Sequence, residues 1–240
     1  MSFKNEISKE TLDIYLKELG KEFRKRNGKQ VPAELIMIGG GAILVNYGFR
    51  DMTTDIDAII HASSAMKDAI NVVGDKYQLP NGWLNADFMK TSSYTPKLDM
   101  YSKHYRTFSN VLTIRTISAE YLIAMKLKAG RAYKHDLSDI VGILSEHAKR
   151  SDPISFDEIK TAINNLYGSW DSISEEMQSF IEKVFTAEDY EQLYKAVREE
   201  EAQSKDILIE FQKDYPGVTK TENVNDILSA MKQKRNLRNK

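Results

Sequence analysis

Apolar residues in this chain recur at one spacing, then another, and the changes outline its elements. Between Ser8 and Arg26, Leu12, Tyr15, Leu16, Leu19 and Phe23 recur at helical spacing, with Ser8 placed to cap the start and Gly28 beyond the end. After Pro32 the pattern tightens into a nearly continuous apolar run from Glu34 to Ile38, too short for a helix and suited to a buried strand. Gly39-Gly40-Gly41 marks a tight turn, and Ala42 to Tyr47 reads as a short helix stopped at Gly48. Thr53 to Ile60 is a second strand, rich in β-branched residues. Ser63 and Ser64 precede a helix reaching about Val73, and Leu79-Pro80-Asn81-Gly82 forms a turn. Trp83 to Met89 and Lys97 to Tyr101 are candidate strands. Asn110 to Ile117 is a clearer one, alternating Val111, Thr113 and Arg115 against Leu112, Ile114 and Thr116. Helices follow over Tyr121 to Ala129 and over Asp136 to Lys149.

From Ser151 the strand pattern stops. Ser155 and Glu158 have the spacing of a capping box, ahead of Ile159, Ala162, Ile163 and Leu166. Thr186 is read as the cap of a helix carrying Tyr190, Leu193, Tyr194 and Val197, continuing through Glu199-Glu200-Glu201 toward Phe211 with the acidic run as a solvated face. Pro216-Gly217 breaks the chain, Val224 to Met231 makes a last short helix, and the basic stretch Lys232 to Lys240 is expected to fray. The pattern predicts an α+β fold, with a mixed sheet and flanking helices over 1–150 and an all-helical region over 151–240.

Composition narrows the chemistry. With 240 residues the chain holds one sizeable domain or two small ones, and its formal net charge of −1 argues against a broad, non-specific nucleic-acid surface. The absence of Cys removes disulfides, zinc–thiolate sites and thiol catalysis together. No apolar run approaches twenty residues and the charged start lacks a signal-peptide core, so a cytoplasmic protein with no membrane partner is expected.

The candidate chemistry lies where the glycines meet Thr54-Asp55-Ile56-Asp57. Side chains alternate along a strand, so Asp55 and Asp57 share one face about 7 Å apart, a poor core and a good seat for a divalent cation. A P-loop needs a following Gly-Lys-Ser/Thr and a dinucleotide fold needs later glycines; both are absent. A third reading is a glycine turn that lets a triphosphate approach backbone N–H groups at a helix start, with the aspartates holding the metal that the phosphates bind; the plain alternative is a structural turn followed by a solvated acidic pair.

Glycine pair, short helix and Asp-x-Asp on the next strand resemble the nucleotidyltransferase superfamily. Leu79-Pro80 leading to Trp83-Leu84-Asn85, the Ser118 to Leu127 run, Ala129-Gly130-Arg131 and Asp136 to Ile140 resemble a bacterial branch related to the toxin of the AbiE abortive-infection system. The resemblance implies that Gly39, Gly40, Gly41 and Thr54 serve the nucleotide, that Asp55 and Asp57 hold two Mg²⁺, and that Lys126 and Arg131 neutralise triphosphate or leaving pyrophosphate. It also implies a third carboxylate, acting as metal ligand and proton acceptor, for which Asp87 and Asp99 compete. The branch often carries an acid directly after Trp-Leu-Asn, where this chain has Ala86. The expected reaction moves a nucleotidyl group from a nucleoside triphosphate to a hydroxyl of RNA, tRNA in particular, or of a protein. A toxin role with a cognate antitoxin follows from the resemblance alone. The alternative is a non-catalytic member of the fold acting as a binding partner in a toxin–antitoxin pair.

Overall fold

The structure, a computed structural model, describes residues 6–220 and 223–238. The short strand β1 (Ile7–Ser8) leads into α1 (Lys9–Asn27), where Ser8 and Thr11 cap each other reciprocally. Then follow β2 (Ala33–Met37), α2 (Gly39–Asn46), β3 (Met52–Thr53), β4 (Ile56–His61), α3 (Ala65–Tyr77) and β5 (Leu84–Asn85). Next come β6 (Ser102–Phe108), β7 (Leu112–Ile117), α4 (Ala119–Ala129), α5 (Asp136–Lys149) and α6 (Phe156–Tyr167). The chain ends in α7 (Glu175–Phe185), α8 (Tyr190–Asp214) and α9 (Val224–Arg238).

Five strands form a mixed sheet in the order β5-β4-β2-β7-β6. This is the α+β architecture expected. β2 runs antiparallel to β4 with Met37 opposite Ala58, and parallel to β7 with Leu35 opposite Ile114. Pleating separates two faces. Leu35, Met37, Ile56, Ala58, Leu84, Leu112 and Ile114 point into one core with Leu12, Leu16, Leu19 and Phe23 of α1 and Met66, Ala69 and Val73 of α3. The opposite face of β4 carries Asp57, Ile59 and His61.

Several elements differ from the sequence pattern. The glycines are not a separate turn; they are the first turn of α2 itself. The strand expected over Thr53 to Ile60 is broken at Thr54-Asp55, because Met52-Thr53 leaves to pair with β1. Of the strands expected at Trp83 to Met89 and Lys97 to Tyr101, only Leu84-Asn85 is extended; Asp87–Lys90 and Pro96–Tyr101 wind into 3₁₀ turns. Thr186 closes α7, and Asp189 caps α8 by accepting hydrogen bonds from the N–H groups of Glu191 and Gln192. The helix expected over Val224 to Met231 runs on to Arg238, while residues 239–240 of the basic end lie outside the described residues. Among the described residues no helix is long and apolar enough to cross a membrane.

The chain divides into two compact units, Met1–Met125 with Ile154–Ser172, and Lys126–Pro153 with Ile173–Lys240. It therefore changes unit three times, where the sequence pattern placed one boundary at 150. Side-chain hydrogen bonds explain why α6 belongs to the first unit. Asn165 Nδ2 donates to the Tyr121 hydroxyl at 2.7 Å, the Tyr167 hydroxyl to the Ser93 carbonyl at 2.8 Å, and Lys97 Nζ to the Asn165 carbonyl at 2.8 Å. In the second unit, Ile207 and Leu208 pack with Val224 and Leu228.

Leu35 is fully buried in the sheet core, whereas Ile14 of α1 is 50% exposed. Leu35→Ala is expected to cost about 2–5 kcal/mol in urea unfolding, and Ile14→Ala no more than about 0.5 kcal/mol.

Candidate functional site

Three glycines let α2 start hard against the chain that leads into β4. At Gly39, with φ of +54°, a Cβ would lie 3.5 Å from Asp57 Oδ2. One on Gly40 would meet Thr53 Oγ1 at 2.7 Å and the Arg50 guanidinium at 3.1 Å, and one on Gly41 would meet the Ile56 side chain at 3.2 Å. Any side chain at Gly40 would thus displace the Thr53 hydroxyl and the Arg50 guanidinium. The Ile38 N–H donates to the Asp57 carbonyl at 3.0 Å, pinning the end of β2 to the start of β4. Ile38, the N-cap of α2, offers no side-chain acceptor, and the first turn holds no acidic residue. An α-helix leaves its first N–H groups without internal partners, and here they open beside the Asp57 carboxylate.

Asp57 is half-buried and Asp55, just ahead of the strand, is exposed. Local bonds fix this bend: Thr53 Oγ1 donates to the Asp55 carbonyl at 3.1 Å, and Thr54 Oγ1 to Asp55 Oδ1 at 3.4 Å. Arg50 is the single basic residue between Gly41 and Asp55, and the sequence reading passed over it. Its Nε donates to the Met52 carbonyl at 3.2 Å, which lays the guanidinium across the first turn of α2.

Asp87 and Asp99 each have a partner of their own. Asp87 begins a 3₁₀ turn, is 74% exposed and pairs with Lys90 Nζ at 2.7 Å. Asp99 meets His61 Nε2 at 2.9 Å; His61 is four residues beyond Asp57, about 13 Å along β4 at the usual rise per residue. Among the described residues no three His, Asp or Glu side chains gather as a metal site. Two carboxylates still suit a cation that completes its shell with phosphate oxygens and water, as Mg²⁺ does.

The family model described as a nucleotidyltransferase of unknown function (DUF6036) matches residues 15–195. The chain belongs to this family. No curated protein and no solved structure matches it. The matched stretch includes the glycines, both aspartates, Lys126 and Arg131.

Those two cations belong to a buried cluster in the second unit of this family member. Lys126, 6% exposed, reaches Asp136 Oδ1 at 3.2 Å and Asp139 Oδ2 at 2.7 Å. Arg131 grips Asp136 through Nε at 2.7 Å and Nη2 at 3.1 Å. Burial pushes the Asp136 carboxyl upward, but Lys126 and Arg131 outweigh it and hold the group at about 2. Glu201, from the acidic run read as solvated, is instead 2% exposed. It caps α5, accepting from the N–H groups of Leu137 at 3.0 Å and Ser138 at 3.1 Å and from the Ser138 hydroxyl at 2.6 Å. Nothing in an acidic helical run distinguishes the one glutamate that turns inward, because its partner lies over sixty residues away.

Lys126→Met leaves two buried carboxylates short of a cation and is expected to cost about 3–5 kcal/mol in unfolding. The Asp136 carboxyl is lowered from 3.8 to about 2, so its contribution is complete above about pH 4 and is lost as pH falls through 2. Unfolding titrations should show wild-type stability falling more steeply over that window than that of Asp136→Asn.

Proposed function

We propose that this family member is a metal-dependent nucleotidyltransferase that moves a nucleotidyl group from a nucleoside triphosphate to a hydroxyl of RNA, tRNA in particular, or of a protein. The observation that carries this reading is the juxtaposition of the uncapped first turn of α2 with the Asp57 carboxylate, 3.5 Å from where a Gly39 Cβ would stand. Anions favour helix N-termini and divalent cations favour carboxylates, so a metal-bound triphosphate satisfies both neighbours at once.

Each residue has a physical part. Gly39 and Gly40 keep side chains out of the path by which phosphate oxygens reach the N–H groups, and Gly41 lets the same turn pack against Ile56. Arg50 adds positive charge across the same turn, and Thr54 steadies the Asp55 carboxylate. Asp55 and Asp57 supply oxygens for up to two Mg²⁺. When bound, such ions offset charge on the transferring phosphate and lower the pKa of an attacking hydroxyl. Lys126 and Arg131 are each tied to buried carboxylates, so no phosphate contact is assigned to them. The kinship with the AbiE toxin and a cognate antitoxin belongs to this proposal on the resemblance of the sequence alone.

A second reading has an observation in its favour. Asp87 pairs with Lys90 and Asp99 with His61, so each candidate for taking the acceptor's proton is engaged by another side chain. A protein that binds the nucleotide without transferring it would need no third acid.

Protection of the chain from thermal unfolding by Mg²⁺ with ATP, CTP, GTP or UTP separates these readings from simple scaffolding. Protection should vanish in Asp55→Asn and Asp57→Asn. Incubation with α-³²P-labelled triphosphate and cell extract should label an RNA or protein acceptor, with a fall of about 10²-fold or more in Asp57→Asn. Protection without labelling would favour the binding protein, and equal labelling by Asp57→Asn would remove the aspartates from the site.

A further inference from the structure

The sheet itself identifies what stands beside Asp57. β5 runs parallel to β4 with Ile56 opposite Leu84 and Asp57 opposite Asn85. Residues in register on neighbouring strands share a face, and their backbones lie about 4.8 Å apart. The core confirms the assignment of faces: Ile56 and Leu84 are buried together on one side, so Asp57 and Asn85 both project on the other. The position flanking the aspartate pair is therefore held by an amide.

Asn85 also shapes the turn that carries Asp87. Asn85 Oδ1 accepts the Asp87 N–H at 2.8 Å, and its Nδ2 donates to the Gly82 carbonyl at 3.1 Å. This Asx turn takes the chain off the strand one residue later, into the 3₁₀ turn that leads Asp87 to Lys90. An amide oxygen keeps a second lone pair after accepting one hydrogen bond, and hard divalent cations accept such oxygens as ligands.

We infer that Asn85 is the third oxygen donor of the Asp55–Asp57 face, and that this neutral third ligand makes divalent-cation binding conditional on the triphosphate. The inference rests on the proposed metal-and-triphosphate reading of the same face. Two carboxylates and an amide carry one negative charge fewer than three carboxylates, and affinity for a hard cation follows the number of charged ligands. The cation alone is held weakly; the phosphates supply the missing negative charge, so metal and nucleotide enter together. Empty of nucleotide, the face does not sequester the ion.

Titration of the full chain with Mn²⁺ alone, read from the electron paramagnetic resonance signal of the free ion, tests this. Asn85→Asp retains the turn acceptor and adds one charge, and is expected to bind Mn²⁺ at least 10-fold more tightly than wild type. The gain should disappear in the Asn85→Asp/Asp57→Asn double variant, and Asp87→Asn should bind as wild type does. A folded Asn85→Asp with unchanged Mn²⁺ affinity overturns the inference, as does weakened binding in Asp87→Asn. Should Asn85→Asp not fold, Asn85→Ser keeps a turn acceptor but withdraws the amide oxygen. It should weaken Mg²⁺-dependent triphosphate protection at least three-fold, and unchanged protection overturns the inference. The two levels fail separately. Wild-type protection lost in Asp57→Asn, with no effect at Asn85, leaves the nucleotide reading intact and removes this one. An Mn²⁺ gain that needs Asp57, without any triphosphate protection, keeps Asn85 beside the cation but overturns the nucleotide reading and, with it, the conditional coupling.

Discussion

The register between β2 and β4 governs the candidate site. With Met37 opposite Ala58, the Ile38 N–H meets the Asp57 carbonyl and the glycine turn begins beside the Asp57 side chain. A slip of one residue would turn Asp57 into the core and Ala58 out of it. Burying an unpaired carboxylate costs several kcal/mol, while Ile56, Ala58 and Ile60 gain by packing toward α1 and α3. Hydrophobic burial on one face thus places the acids on the other. The same register, carried across to β5, sets Asn85 beside Asp57.

The two units treat charge in opposite ways. In the first, Asp55 and Asp57 remain reachable, and the helix start beside them has no side-chain cap. In the second, Lys126 and Arg131 are paired with Asp136 and Asp139, and Glu201 is held by the N–H groups at the start of α5; all but Arg131 are almost fully buried. Breaking such a cluster is costly because each removed partner strands a charge in a low dielectric. Membership of a nucleotidyltransferase family covers both regions, yet the physical parts differ: the first pair of acids is solvent-accessible, and the acids of the second are almost fully buried.

Much of this was legible in advance, element by element. The caps at Ser8 and Ser155, the stripe on α5 and the strand at Leu112–Ile117 follow from local periodicity and hydrogen-bonding capacity. Where the reading failed, the local signal was ambiguous. Lys97-Leu98-Asp99-Met100 alternates over too few residues to separate a strand from a 3₁₀ turn, and Pro96 with the Thr95 cap decided for the turn. Helix α7, with Ser174 as cap and Met177, Ile181 and Val184 buried, carried a helical pattern that was passed over.

The sequence by itself determined the paired aspartates, the glycines that precede them and the apolar faces that bury around them, because these depend on side-chain type and spacing along one segment. Tertiary structure alone decided what surrounds them. That Arg50 lies across Gly40, that Asn85 stands beside Asp57, and that Glu201 turns inward to cap α5 are facts of pairing between distant segments. Alternation along a strand tells which way a side chain points, but its neighbour across the sheet is chosen by which strands the core brings together.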